Sequence, residues 1–483
     1  MANKGNTFNS TRRKFFGQAS CGAIGATTLF STLFNLKSLN ASASFNSSVG
    51  AMPGDYKALV CVLNSGGADS FNMLVPRSAP EYAQYANTRS NMAININALR
   101  PINPIISDGK QYGLHPSMVR MQSLFEANKL AFISNVGSLV QPLTKQEFYD
   151  GNVLIPLGLY SHADQAMHWQ TGIPQQRTAQ GWGGKMADLL YSANTNQTIS
   201  MNISLSGSNI FQTGNNSVEY TLHPTQGSIG IQDYNNTDWA LNTLKKAAIE
   251  GMVNPAYQNV FKKTYANTIK TSIDGNEMLT NVIANAPTFT TPFSNNNLSN
   301  SFQMIAKTIA GRDALGMSRQ IFFVDYGGWD HHDDLLNDQA AMLTQLDNAL
   351  YQFNAAMEQL GLADKVTTFS LSEFSRTLTS NGNGTDHAWG GNVFIMGGAV
   401  NGRRMFGEYP SLALTNYNPN NDTNPLEVGG GSLIPTTSAD EYFAELALWY
   451  GVPPSDLVTL FPNIGYFYDV ASQSNPIGFL NLG

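Results

Sequence analysis

Gln320-Ile-Phe-Phe-Val-Asp325-Tyr-Gly327-Gly328-Trp329-Asp330-His331-His332 is the stretch that decides the fold. Its first half is a continuous apolar run, as expected of a strand covered on both faces in a parallel sheet, and it breaks at a glycine pair into a polar loop. The same grammar recurs along the chain. Ala58 to Leu63 runs into Asn64-Ser-Gly66-Gly67-Ala-Asp69, Lys129 to Ser134 into Asn135-Val-Gly137, Lys365 to Ser372 into Glu373, and Asn392 to Met396 into Gly397-Gly398. Between two of these runs, Ala340, Leu343, Leu346, Leu350, Phe353 and Met357 keep a helical period that Gly361 closes. Strands alternating with helices predict an α/β fold, with a doubly wound, mostly parallel sheet and helices on both faces. Ligands of such sheets bind outside the carboxyl ends of the strands, where Asp69, Asp330 and Glu373 are placed.

Gly327–His332, Ser372-Glu373-Phe-Ser-Arg376 and Gly384-Thr-Asp386-His387 lie within about sixty residues of a chain that is 13% charged and has seven histidines. Acids and histidines converge mainly where they are paired, catalytic or bound to a cation. Asp330 and His332 bracket one residue after the glycine pair, a spacing that aims both at one cation, with His331 able to replace His332. Carboxylate plus imidazole suits Zn, Mn or Fe better than Ca. The competing reading makes Asp330 the N-cap of the next helix. Arg376 can pair with Glu373 or with an anionic substrate. On extended backbone Asp386 and His387 point opposite ways, so at most one binds a cation directly and the other orients it.

A further compact motif, Ser161-His162-Ala-Asp164-Gln-Ala-Met-His168-Trp169, lies far upstream, so the site is expected to join two distant segments. Ser161 reads either as a helix N-cap or as a nucleophile activated by a cation and the helix N-terminus.

The N-terminus carries Ser10-Thr11-Arg12-Arg13-Lys14-Phe15-Phe16, a mildly apolar run and Ala41-Ser42-Ala43, which reads as a twin-arginine export signal over residues 1–43. The expected partner is therefore the twin-arginine export machinery, and the expected location periplasmic or secreted. Removing the leader takes away five basic residues and no acid, so the net charge goes from −7 to −12. That balance argues against nucleic-acid binding. No later segment offers the apolar length of a transmembrane span. Cys21 falls in the leader and leaves Cys61 alone, so no internal disulfide is expected. Residues 44–483 are expected to form one domain, with an Asn-rich insertion or cap over 195–300 that holds a helix from Asp238 to Met252, and a long loop over 416–431. Ser438-Ala-Asp-Glu441 opens a last helix with a capping-box pattern, ending at Gly451.

The ordered motifs Gly66-Gly67-Ala-Asp69, Leu114-His115-Pro116, Ser161-His162, Gly181-Trp182-Gly183-Gly184, Gly327–His332, Ser372–Thr377 and Gly384–His387 resemble a family of twin-arginine-exported bacterial proteins, domain of unknown function 1501. The resemblance runs through Pro435–Tyr442 and Phe461-Pro462. It implies an alkaline-phosphatase-like fold of the alkaline-phosphatase and sulfatase-like superfamily. It also implies a divalent metal, Zn or Mn, held by Asp69, Asp330, His332, Glu373, Asp386 and His387, with Ser161 and Arg376 acting on a small anionic phosphate or sulfate ester. Two departures are visible: the Asp330–His332 spacing is shorter than the superfamily's, and Phe374 stands where a histidine is usual. The Cys/Ser-x-Pro-x-Arg motif of formylglycine sulfatases is absent. Those departures keep open a second reading, a non-catalytic envelope binding or assembly protein that retains the fold.

Overall fold

The computed structural model describes residues 55–482 apart from 237, 416–421 and 473. The export signal expected over 1–43 and the first part of the loop expected over 416–431 lie outside the described residues. The strands are β1 (Lys57–Leu63), β2 (Leu74–Pro76), β3 (Arg100–Ile102), β4 (Tyr112–Leu114), β5 (Leu130–Gly137), β6 (Asn202–Ser204), β7 (Tyr220–Thr221), β8 (Arg319–Asp325), β9 (Val366–Leu371), β10 (Gly391–Met396), β11 (Met405–Phe406) and β12 (Thr437–Ser438). The main sheet has the order β11-β5-β10-β9-β1-β8-β6-β7, with β12 also on β5, and β2-β4-β3 form a small antiparallel sheet.

β1 is buried along nearly its whole length because it is sandwiched. Ala58, Val60 and Val62 face a core with the helices Val119–Glu126, Asn297–Ala310 and Leu335–Gln359. Leu59, Cys61 and Leu63 face a second core with the helices Trp182–Leu189 and Ala439–Tyr450. Period-two alternation in a strand that is apolar at every position thus feeds two cores, and the protein is α/β with helices on both faces. In Leu335–Gln359 the buried stripe includes Leu343, Leu346, Leu350, Phe353 and Met357, and Gly361 follows with φ +67°. Asp347 interrupts this stripe for a reason: its carboxylate accepts the Arg120 and Met121 amides and satisfies the start of the neighbouring helix. The capping box at Ser438 and Glu441 forms, and Gly451 closes that helix with φ +116°.

One strand departs from the sequence expectation. β10 runs antiparallel to both β9 and β5, while the other pairings of the main sheet are parallel. Gly397-Gly398, expected beside the other strand ends, is therefore at the far side, where Gly397 donates to the Lys129 carbonyl at the entry to β5. The apolar run alone carries no direction. Its consequence is favourable to a site, because the segment that enters β10, 384–390, now meets the carboxyl ends of β1, β8 and β9. The Asn-rich stretch 195–300 contributes the edge strands β6 and β7 and the helices Ala240–Val253 and Val260–Ala284.

His168 is buried on the helix His162–Thr171 with no hydrogen-bond partner for either ring nitrogen, and burial pushes its pKa down to about 4 from 6.5. The unfolded chain takes up this proton near pH 6.5 and the folded one only near 4. Stability is therefore expected to fall as pH drops through that window, by up to about 3 kcal/mol from this group. Chemical denaturation of His168→Gln across the same window is expected to show a shallower loss than the parent.

Candidate metal centre

Glycine lets the strand ends close up. Gly66, at φ +117°, lies where a Cβ would come within 2.5 Å of the Asp330 nitrogen, so the loop after β1 packs directly on the loop after β8. The Ser65 carbonyl accepts the Gly328 and Trp329 amides, which fixes Asp330 beyond them. Asp330 caps no helix, since the following helix begins at Leu335 with Asp334 before it. After β9 the chain makes a short antiparallel pairing with the approach to β10. Arg376 bridges His387, and the Thr377 amide donates to the Asp386 carbonyl. Gly384 is required there, because a Cβ would lie 2.4 Å from the His332 carbonyl carbon.

Three histidines aim Nε2 at the Asp330 carboxylate. His162 Nε2 is 3.4 Å from Oδ2, while His332 and His387 Nε2 are 3.0 and 3.3 Å from Oδ1 and 3.0 Å from each other. Each ring is fixed from behind through Nδ1. His162 faces Glu373 Oε1 at 3.1 Å, His332 faces Asp386 Oδ1 at 3.2 Å, and His387 faces the Tyr160 carbonyl at 2.8 Å. Carbonyls and carboxylates only accept, so each Nδ1 carries a proton and each Nε2 is left facing Asp330, as an N–H donor when its ring is protonated and as a lone pair when it is neutral. Burial lowers the His387 pKa and favours the neutral ring. Burial opposes ionisation of Asp330, but the Arg376 hydrogen bond and charge outweigh it and hold this carboxyl below its ordinary range.

In the neutral rings three nitrogen lone pairs and one carboxylate converge, a donor set that fits a cation. Ligands 2.0–2.1 Å from a tetrahedral zinc lie about 3.3 Å apart, close to the separations among Asp330, His332 and His387. Ligand atoms of His162, Asp330 and His387 lie within 4.8 Å of one another, and His332 touches two of the three. The Asp330 side chain is 45% exposed, so the centre opens to solvent.

The expected residues therefore separate. Asp330, His332 and His387 meet at the centre. Glu373 and Asp386 reach it only through the histidines they orient; Glu373 is buried and also accepts the Gly66 amide at 2.6 Å. Asp69 does not join, because its carboxylate is turned into the interior and paired with Arg89, both fully buried. Arg376 does not pair with Glu373 and is closed to substrate. It is buried, and it donates to Asp330 at 2.7 Å, to the Gly66 carbonyl and to the Thr385 carbonyl. His331 is buried beside Trp329 and leaves the centre to His332. Ser161 caps the helix His162–Thr171, its hydroxyl accepting from the Asp164 amide at 3.4 Å. His162 is the residue missing from the expected ligand set. Its signal was the compact upstream motif, which carried no spacing to the other histidines. Phe374 stacks on His387 with ring centroids 4.7 Å apart and also packs on His162, so it braces two of the three imidazoles.

A mostly parallel α/β sheet with one histidine-rich centre at its strand ends is the class that these observations define. The chain belongs to the family described as "Protein of unknown function (DUF1501)", which matches residues 56–424. No curated protein matches the sequence. Solved structures that align include Ps i-CgsB in complex with k-i-k-neocarrahexaose, at 9% identity and TM-score 0.31, covering 86% of this chain and 74% of that one. A Bacteroides thetaiotaomicron protein from the metabolism of multiple glycosaminoglycans, BT33494S-sulf, aligns at 10% identity and TM-score 0.34, over 87% and 78%. An alkaline phosphatase PafA mutant aligns at 12% identity and TM-score 0.24, over 68% and 64%. At such scores none of the three bears on what this chain does.

Removing one member of a buried ion pair leaves the other charge stranded. Arg89→Met is expected to lower stability by about 3–5 kcal/mol in chemical denaturation, and Arg89→Met with Asp69→Asn to recover most of that loss.

Proposed function

We propose that the protein is an exported, metal-dependent hydrolase of phosphate or sulfate esters. The observation that supports this most is the convergence of three oriented imidazoles on one exposed carboxylate. Asp330 and His387, with His162 and His332, would hold the cation. The nitrogen-rich set favours zinc or manganese over calcium. A cation there would supply charge to polarise an ester oxygen and to assist an attacking hydroxyl or water.

What this chain's own residues do is position. Arg376 fixes the Asp330 carboxylate, and Glu373, Asp386 and the Tyr160 carbonyl fix the tautomers of the histidines. Phe374 walls off one side. Ser161 stands next to His162 at a helix N-terminus, and it or a water is the proposed attacking group. The motif resemblance set out above supports export by the twin-arginine machinery and a periplasmic or secreted location. Among the described residues no helix is long and apolar enough to cross a membrane.

A non-catalytic binding or assembly protein is the second reading, favoured by two observations. The Ser161 hydroxyl is taken up as a helix cap, and the buried Arg376 is taken up by Asp330 and shut away from any substrate anion.

Elemental analysis of the natively produced protein is expected to find stoichiometric zinc or manganese, lost in folded Asp330→Ala and His387→Ala. A metal-free parent, after supply of both metals during folding, would sink the metallohydrolase. The loaded protein is expected to cleave aryl phosphate, phosphodiester or aryl sulfate, with a rate that falls at least a hundredfold in His387→Ala. Bound metal without turnover on any of these would favour the binding protein.

A further inference from the structure

The helices Ala240–Val253 and Val260–Ala284 carry an apolar surface that no other described residue covers. On the first, Leu241, Leu244, Ala248 and Met252 recur at helical spacing on one line and are all exposed. Such a stripe normally faces a core. Trp239 precedes it and is 64% exposed, and Val260, Phe261 and Tyr265 at the start of the second helix are exposed by 60–65%. Trp239, Val260, Phe261 and Tyr265 are thus large apolar side chains standing in solvent beside the stripe.

Charge says what they meet. Residues 239–265 hold Lys245, Lys246, Lys262 and Lys263 against one acid, Glu250, with Asp238, Asp274 and Glu277 outside this tip, in a chain of net charge −7. Lysines beside protruding aromatic and aliphatic side chains match an anionic bilayer surface. The ammonium groups meet lipid phosphates, and rings and alkyl chains enter the zone between headgroups and acyl chains. A soft interface also accepts side chains that stand apart.

We propose that the tip formed by residues 239–265 docks the protein on anionic lipid membranes. The protein lies on the surface without spanning it, and the acidic body stays in water. The attachment is electrostatic in part, so it weakens with salt.

The chain carries its own probe. Of six tryptophans, Trp239 is exposed, and Trp169, Trp182, Trp329, Trp389 and Trp449 are all buried. Mixing the full chain with vesicles of phosphatidylglycerol and phosphatidylethanolamine is expected to shift its emission to the blue, to enable quenching by brominated lipid, and to carry protein into the vesicle pellet. Vesicles of phosphatidylcholine alone are expected to do so at least tenfold less. Two surface variants act on separate parts of the contact. Lys262→Glu with Lys263→Glu is expected to weaken partition at least tenfold on anionic vesicles, and Phe261→Ser with Tyr265→Ser to abolish lipid quenching of Trp239. No pelleting of the parent, or pelleting that neither double variant changes, overturns the proposal. So does a lipid-free dimer, seen by light scattering, that Phe261→Ser with Tyr265→Ser dissolves, since the surface would then be covered by a second copy.

Discussion

The Asp330 carboxylate, fixed by the buried Arg376 guanidinium, is the contact on which the centre depends. Arg376 reaches the carbonyls of Gly66 and Thr385 as well as Asp330. One planar side chain with five donors thus ties the loops after β1 and β8 to the segment entering β10. Lysine has the charge but not the fork, and it would join fewer of these. With Asp330 held, the histidines have a common target. With them oriented through Nδ1, their Nε2 atoms cannot turn away. The centre is therefore built from the outside inward, and the buried Glu373 matters because it decides which nitrogen of His162 faces Asp330.

Sheet topology supports this arrangement in a way that local sequence does not reveal. Antiparallel β10 brings a loop to the carboxyl ends of β1, β8 and β9 from the opposite direction to its neighbours, which is how His387 arrives beside His332. Had β10 been parallel, its preceding loop would have lain at the other end of the strands and Asp386-His387 with it.

The layers were legible because apolar runs ending in glycine and polar residues identify buried strands, and the stripe from Leu343 to Met357 identifies its helix. The convergence of Asp330, His332 and His387 was legible from their clustering in short motifs, since acids and histidines seldom crowd together in a chain with little charge. The direction of β10 was not, because an apolar strand reads the same both ways. Nor was the fate of Asp69, whose position past β1 is right while its carboxylate is claimed by Arg89, twenty residues on in a helix. Arg376 was recognised as an anion partner, but which anion depended on the loop from β8. His162 needed the tertiary fold, because a histidine ligand far from its partners has no spacing to betray it.

β1 carries a consequence for how the molecule comes to be. It lies at the middle of the sheet, yet Tyr56 at its entrance bonds to Gln320, 264 residues later, and its neighbours β8 and β9 follow in that distant part of the chain. During synthesis this buried strand emerges well before its partners and waits for β8, complete at residue 325 of 483, before it can pair. Contacts of such separation make folding slow, and the waiting strand is an aggregation hazard. A chain truncated before β8 lacks both neighbours of β1 and so has no sheet centre to form around.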